Sequence, residues 1–299
     1  MLGALGTVKG ELRMIQKIGV VGCGLMGSGI AEVAARRGLD VVVTEGDEAN
    51  LARGRSRIEN SLARALKASK ITEGELENTL SRIRYDIDLG AHFDRELVVE
   101  AIVEDEAAKV GVFTTLDKVV ENDDAILASN TSSIPIMKLG VATSRPQQVI
   151  GIHFFNPVPV LSLVELVTSL LTSEDVAERA AKFASESLNK HVIHSKDRAG
   201  FIVNALLIPY ILSAIRMMES GFATAEDIDT GMVEGCAHPM GPLALCDLIG
   251  LDTTAAVSES LYHEFKEPLY APPPLLLRMV DAGLLGRKSG RGFYEYKPR

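Results

Sequence analysis

Cysteine is scarce in this 299-residue chain: Cys23, Cys236 and Cys246 form an odd, scattered set of three. Their spacing fits neither a disulfide framework nor a metal site, which points to a reducing, cytosolic compartment. Basic charge is also short, with 31 Lys and Arg against 40 Asp and Glu and a net charge of -9 at pH 7. That balance argues against a nucleic-acid partner and obliges any anionic ligand to find its cations locally. Long apolar runs are nearly missing. The one charge-free run, "AGFIVNALLIPYILSAI" (199 to 215), falls short of the ~20 residues a membrane span needs and carries Asn204 and Pro209, so it is expected to be a buried helix. The opening "MLGALGTVKGELR" lacks the order of a signal peptide, and residues 1 to 13 read as a flexible extension, with Met14 an alternative start. There is no internal repeat, and the only biased stretch is "APPPLL" (271 to 276), expected to be a loop.

What is present, 46% hydrophobic residues with 24% charged, suits a soluble globular protein of two domains. From Ile15 the chain reads strand, Gly-rich turn, helix, strand ("IQKIGVVG", "CGLMGSGIAEVAARRG", "DVVVTE"), the alternation that builds parallel sheets. Residues 48 to 80 show helical spacing and are expected to project from the sheet as one or two helices. Further strands are expected at 97 to 104, 125 to 130 and 148 to 155, ending in polar residues where open α/β sheets bind ligands. Beyond about Lys196 helical periodicity takes over, with a Thr-capped helix in "TAEDIDTGMVEG" and another in "DLIGLDTTAAVSESLYHEF". The expected domains are 14 to 197, an α/β Rossmann-type nucleotide-binding domain with a helical projection, and 198 to 299, all helical.

"GCGLMG" (22 to 27) is G-x-G-x-x-G after a strand and before a helix. Gly22 permits the turn, Gly24 lets backbone approach a pyrophosphate and Gly27 lets helix and strand pack, with the phosphates on the helix N-terminus. Cys23, Leu25 and Met26 complete the loop. Glu45, 18 residues after Gly27, stands where an acid hydrogen-bonds an adenosine ribose, unless it only caps a helix. A carboxylate there repels a 2'-phosphate, so NAD(H) is favoured; Arg53 and Arg55 leave NADP(H) open. Asn130, Thr131 and Ser132 in "ASNTSS" (128 to 133) follow a strand and either face a ligand or cap a turn. His153 lies on an apolar strand, where a histidine is more often a satisfied core residue than a base.

Taken together, "GVVGCGLMGSGIA", "SNTSSIPI", "GIHFFNPVPVLSLVELV", "DRAGFIVNALLIPY", "PMGPLALCDLIGLDT" and "GRKSGRGFYEY" resemble the L-3-hydroxyacyl-CoA dehydrogenases, in order from about Met14 to Tyr296. The resemblance implies interconversion of a short-chain 3-hydroxyacyl-CoA and its 3-oxo form by hydride transfer. It implies His153 as acid/base, Glu165 as its partner, and Ser132 and Asn204 as substrate-holding groups. Asn204 would be supplied by the second domain on closure. For NAD it implies the loop Gly22 to Gly27, Glu45, Glu104, Lys109, Asn130, Ser132, Asn156 and Lys288. For CoA it implies Ser61, Ser132 and, less closely matched, Lys67, because the family's lysine falls near Ala68. It also implies a homodimer through the helical domain. The basic stretch 52 to 70 reads either as a CoA-facing patch or as a solvated helix face. Two rival readings remain: a dehydrogenase of a free hydroxy or sugar acid, and a non-catalytic dinucleotide-binding protein.

If Glu165 serves His153, the twelve-residue gap between them requires a turn through "NPVP" that returns the next element against the imidazole.

Overall fold

The computed structural model describes residues 14 to 297; the extension expected over 1 to 13 lies outside them. The described chain forms two compact units, Pro135–Asp197 with everything before Ser132, and Arg198 onward with the short segment Ser132–Ile134.

The first unit is an eight-stranded sheet in the order β3-β2-β1-β4-β5-β6-β7-β8. Its strands are β1 (Lys17–Val21), β2 (Asp40–Thr44), β3 (Ile83–Asp86), β4 (Leu97–Glu100), β5 (Ile126–Ser129), β6 (Val149–Phe154), β7 (Leu163–Thr168) and β8 (His191–Lys196). All neighbours are parallel except β6 and β7. The central strands read as near-continuous apolar runs because helices cover both faces. Those helices are α1 (Leu25–Arg36), α2 (Glu48–Lys67), α3 (Glu73–Ser81), α4 (Glu106–Val119), α5 (Ile136–Gly140) and α6 (Glu174–Lys182). α2 buries Leu51, Gly54, Ile58 and Leu62, a stripe at spacings of three and four, so its projection is anchored to the core along one edge.

Sequence and structure differ at several places. The strand expected over 97 to 104 ends at Glu100, whose carboxylate accepts the Ile102 N–H at 2.7 Å and turns the chain out of the sheet. Strands β3 and β8 carry little apolar signal because they form the two edges of the sheet, where polar residues are tolerated.

The second unit holds α7 (Val203–Glu219), α8 (Ala225–Cys236), α9 (Pro242–Ile249), α10 (Leu251–Phe265) and α11 (Pro274–Asp281). α7 starts four residues later than expected, after Gly200 and Phe201 at positive φ. It buries Ile208, Ile211, Leu212 and Ile215 and leaves Leu206 exposed. Thr224 caps α8 as expected. The run 247 to 265 is split by Gly250 at φ +106, a conformation that excludes a continuous helix. The "APPPLL" loop is half helix: Pro274 opens α11, where its missing N–H is not needed. Ser132–Ile134, expected in the sheet domain, groups with the helices, and the Ser260 hydroxyl donates to Ser133 O at 3.3 Å.

Two buried carboxylates hold this unit together. Asp229 accepts the Leu243 and Ala244 N–H groups, capping α9 from outside, and the Tyr294 hydroxyl. Asp247 accepts the Phe293 and Tyr294 N–H groups and the Tyr296 hydroxyl, pinning "GRGFYEY" to α9. No helix among the described residues is long and apolar enough to cross a membrane.

Candidate active site

The glycine loop between β1 and α1 opens onto a cleft of about 770 Å³ lined by Gly22, Gly24, Leu25, Met26, Glu45 and Arg57, among others. Gly22 sits at φ +92, and a Cβ there would lie 2.7 Å from Ala101 O. A Cβ on Gly27 would fall 1.8 Å from Gly22 O, so the first turn of α1 can approach the loop only without a side chain. Gly24 is different: nothing lies within 4 Å of its missing Cβ, so that space is open toward the cleft.

α1 begins with no side-chain cap and no acid in its first turn, unlike α2, α3, α4 and α6 of the same unit. Its leading N–H groups and the positive end of its dipole are therefore left for an external anion, as a dinucleotide pyrophosphate would supply. The loop fits that group. Substituting Gly24→Ala should leave the melting temperature unchanged but weaken NADH by about tenfold, measured by fluorescence titration; unchanged affinity would remove Gly24 from the cradle.

Glu45, at the end of β2, accepts the Cys23 N–H at 2.6 Å and so is held against the loop. Burial first, and the Glu45 charge second, push the Cys23 thiol up to about 12, leaving it an inert packing group. Asn50, Gly54 and Arg57 recur at helical spacing on the face of α2 that meets the loop: Asn50 and Arg57 line the cleft, and a Cβ on Gly54 would strike Cys23 at 2.4 Å. Arg57 donates to Cys23 O at 3.2 Å. Reading 52 to 70 only as a basic patch hides this stripe.

Beside the cleft lies a buried polar network. Glu100 is fully buried and accepts from Lys109 Nζ at 2.6 Å and Ser129 Oγ at 2.6 Å. Lys109, 1% exposed, also lies 3.3 Å from the Glu104 carboxylate, which in turn accepts the Thr131 hydroxyl at 2.5 Å. Glu104 and Lys109 are thus brought to each other. Glu100 and Ser129 go unnoticed in the sequence because they look like ordinary strand ends; an acid terminating an apolar strand nine residues before a lysine is the available signal.

His153 and Glu165 face one another across the antiparallel β6–β7 pair, in register. Their side chains meet at 2.7 Å, His153 Nδ1 to Glu165 Oε2, with the ring 6% and the acid 0% exposed. A carboxylate only accepts, so Nδ1 carries the hydrogen of this bond and Nε2 is the ring nitrogen left for proton exchange. Phe155 packs edge-on against the ring at 4.6 Å between centroids. Asn130 lies at the end of β5 and accepts the Phe154 N–H at 2.9 Å, so it ties the neighbouring strand ends together. Asn156 is exposed just beyond β6.

Ser61 faces α1, where it hydrogen-bonds the buried Glu32, whose carboxyl is pushed up by burial and restrained by Ser61 and Arg36. Lys67 is exposed at the end of α2. Ser132, Asn204 and Lys288 belong to the helical unit. Ser132 is half-buried, Asn204 sits in the first turn of α7, and Lys288 pairs with Asp252 at 2.6 Å.

Comparison with known proteins agrees in both units. Residues 17–198 match the family model described as the 3-hydroxyacyl-CoA dehydrogenase NAD binding domain, and residues 200–296 that of its C-terminal domain. A 3-hydroxybutyryl-CoA dehydrogenase of Mycobacterium tuberculosis is 60% identical over 94% of this chain and 99% of its own length. Among solved structures, FadB2 of M. tuberculosis has a TM-score of 0.94 at 59% identity, covering 95% of this chain and all of that one. The (S)-3-hydroxybutyryl-CoA dehydrogenase PaaH1 of Ralstonia eutropha has 0.89 at 44% identity, covering 95% and 100%. The glycine loop, the sheet and the helical unit are therefore those of an oxidoreductase, and the chain belongs to the 3-hydroxyacyl-CoA dehydrogenase family.

Proposed function

We propose that the chain is a cytoplasmic, homodimeric, NAD-dependent dehydrogenase interconverting (S)-3-hydroxybutyryl-CoA and acetoacetyl-CoA. The observation that carries this reading is the buried 2.7 Å His153–Glu165 pair. In oxidation, His153 Nε2 takes the 3-hydroxyl proton, while Glu165 keeps the ring in one tautomer and stabilises the imidazolium that forms. In reduction the proton returns along the same path. Bound NAD would supply the hydride acceptor. We assign the Ser132 hydroxyl and the Asn204 amide to the substrate's 3-oxygen and thioester carbonyl.

Glu45 supports NAD over NADP, because a carboxylate in the cleft repels a 2'-phosphate. The short-chain CoA thioester follows the names of the relatives above, with the exposed Arg53, Arg55, Arg64, Lys67 and Lys70 as the cationic supply on and just beyond α2. Pairing through the helical unit would cover Leu206 and Phe222, exposed by 73% and 79%.

Spectrophotometric NADH oxidation tests the reading. Acetoacetyl-CoA is expected to exceed free acetoacetate in kcat/KM by about a thousandfold or more, because binding of the remote CoA portion contributes to turnover as well as to affinity. Equal rates with the free acid would sink the CoA assignment, and equal rates with NADPH the cofactor preference.

A further inference from the structure

The sheet unit has a second large cavity, of about 710 Å³, which the proposed reaction does not use. That size falls in the range of small-molecule sites. It opens at the C-terminal end of α1, whereas the glycine loop lies at the N-terminal end; twelve residues of helix, about 18 Å, separate the two.

The charge around this cavity opposes that of the molecule. Arg36, Arg37, Arg82 and Lys190 line it, against one carboxylate, Glu75. That acid is already engaged, accepting the Thr72 N–H at 2.7 Å and the Thr72 hydroxyl at 2.9 Å in the capping box of α3. The negative end of the α1 dipole accounts for Arg36, which also lies 3.6 Å from Glu32. It accounts equally for Arg37, the C-cap of α1, but not for Arg82 or Lys190, which come from other segments. Arg82 is fixed by donating to Gly38 O at 2.8 Å, a bond that leaves its charge uncompensated.

Lys190 is the most telling of the four. It is 9% exposed, and its ammonium donates to Val158 O and Leu161 O, both at 2.6 Å. Both partners are neutral carbonyls. Burial first and the Arg37 charge second hold this lysine below its ordinary range. Arg37 has no carboxylate partner among the described residues. Four cations against one engaged carboxylate, in a chain with nine excess negative charges, give this cavity a local field that suits an anion.

We propose that this cavity is a second ligand site, separate from the cofactor cleft, that takes a phosphate-bearing small molecule. Arg37 and Arg82 would grip the phosphate oxygens, with Lys190 as the buried charge beneath them; guanidinium forks suit that geometry.

The test is calorimetric titration of inorganic pyrophosphate into the full-length protein with the cofactor cleft saturated by NADH. Wild type is expected to bind pyrophosphate with a Kd below about 1 mM, and the Arg37→Gln, Arg82→Gln double variant at least about tenfold more weakly, with NADH affinity unchanged. Should the double variant fail to fold, the exposed Arg37→Gln alone is used, with NADH binding as the check of its fold. No heat in wild type under NADH saturation, or the same isotherm in wild type and variant, would overturn the proposal.

Discussion

His153→Gln is expected to lower turnover of acetoacetyl-CoA by about 10²- to 10⁴-fold, the range that a positioned acid/base group contributes, with NADH affinity unchanged. The reason is geometric. Glutamine preserves polarity and approximate reach but cannot exchange a proton at Nε2, and the glycine loop and Glu45, which we assign to the cofactor, belong to other strands. Glu165→Gln separates two parts of the same role. An amide oxygen still accepts the Nδ1 proton, so orientation survives, but the charge that stabilises an imidazolium is lost. Its effect should lie between wild type and His153→Gln. A double-digit percentage of wild-type turnover in purified His153→Gln would place the acid/base group elsewhere.

The second large effect concerns stability. Glu100→Gln leaves the Lys109 ammonium buried with only the half-exposed Glu104 for compensation. Removing one partner of a buried pair costs about 3 to 5 kcal/mol, because the other charge remains in a low-dielectric site. For a unit of this size that lowers Tm by roughly 10 °C, measured by thermal unfolding of the sheet unit in the whole chain. Adding Lys109→Met should restore most of the loss, since no unpaired charge is then left buried at the site. A drop below about 1 kcal/mol in the single variant would show that water reaches Lys109 and that the network is dispensable.

The two experiments divide what was legible in the sequence from what was not. The central strands, the glycine loop and the Thr224 cap could be read because each rests on local chemistry: apolar runs, a backbone conformation, one hydroxyl. The edges of the sheet could not, since "IRYD" and "HVIHSK" gain their strand character only from the neighbours that pair with them. The break at Gly250 was hidden inside an otherwise helical pattern, because a single glycine is compatible with a helix until the fold requires positive φ. The Glu100 network left only a faint trace in the sequence for a similar reason. Its members are 29 residues apart at Ser129 and nine at Lys109; the parallel pairing of β4 and β5 brings Ser129 to Glu100, and α4 carries Lys109 back to the same carboxylate. For His153, local pattern favoured a core residue, and the resemblance alone supplied Glu165. The antiparallel register adds the physical reason why the two can meet.

That register limits what can change in the connection from Phe155 to Ser162. Side chains alternate between the faces of a strand, so slipping β7 by one residue carries Glu165 to the opposite side of the sheet, and slipping it by two moves the carboxylate about 7 Å along from the ring. The connection can therefore exchange residue types with little consequence for the pair, provided that its residue count holds. Insertions and deletions there should be far more damaging than substitutions, a constraint on the length of the stretch between the histidine and its acid, with little on its composition.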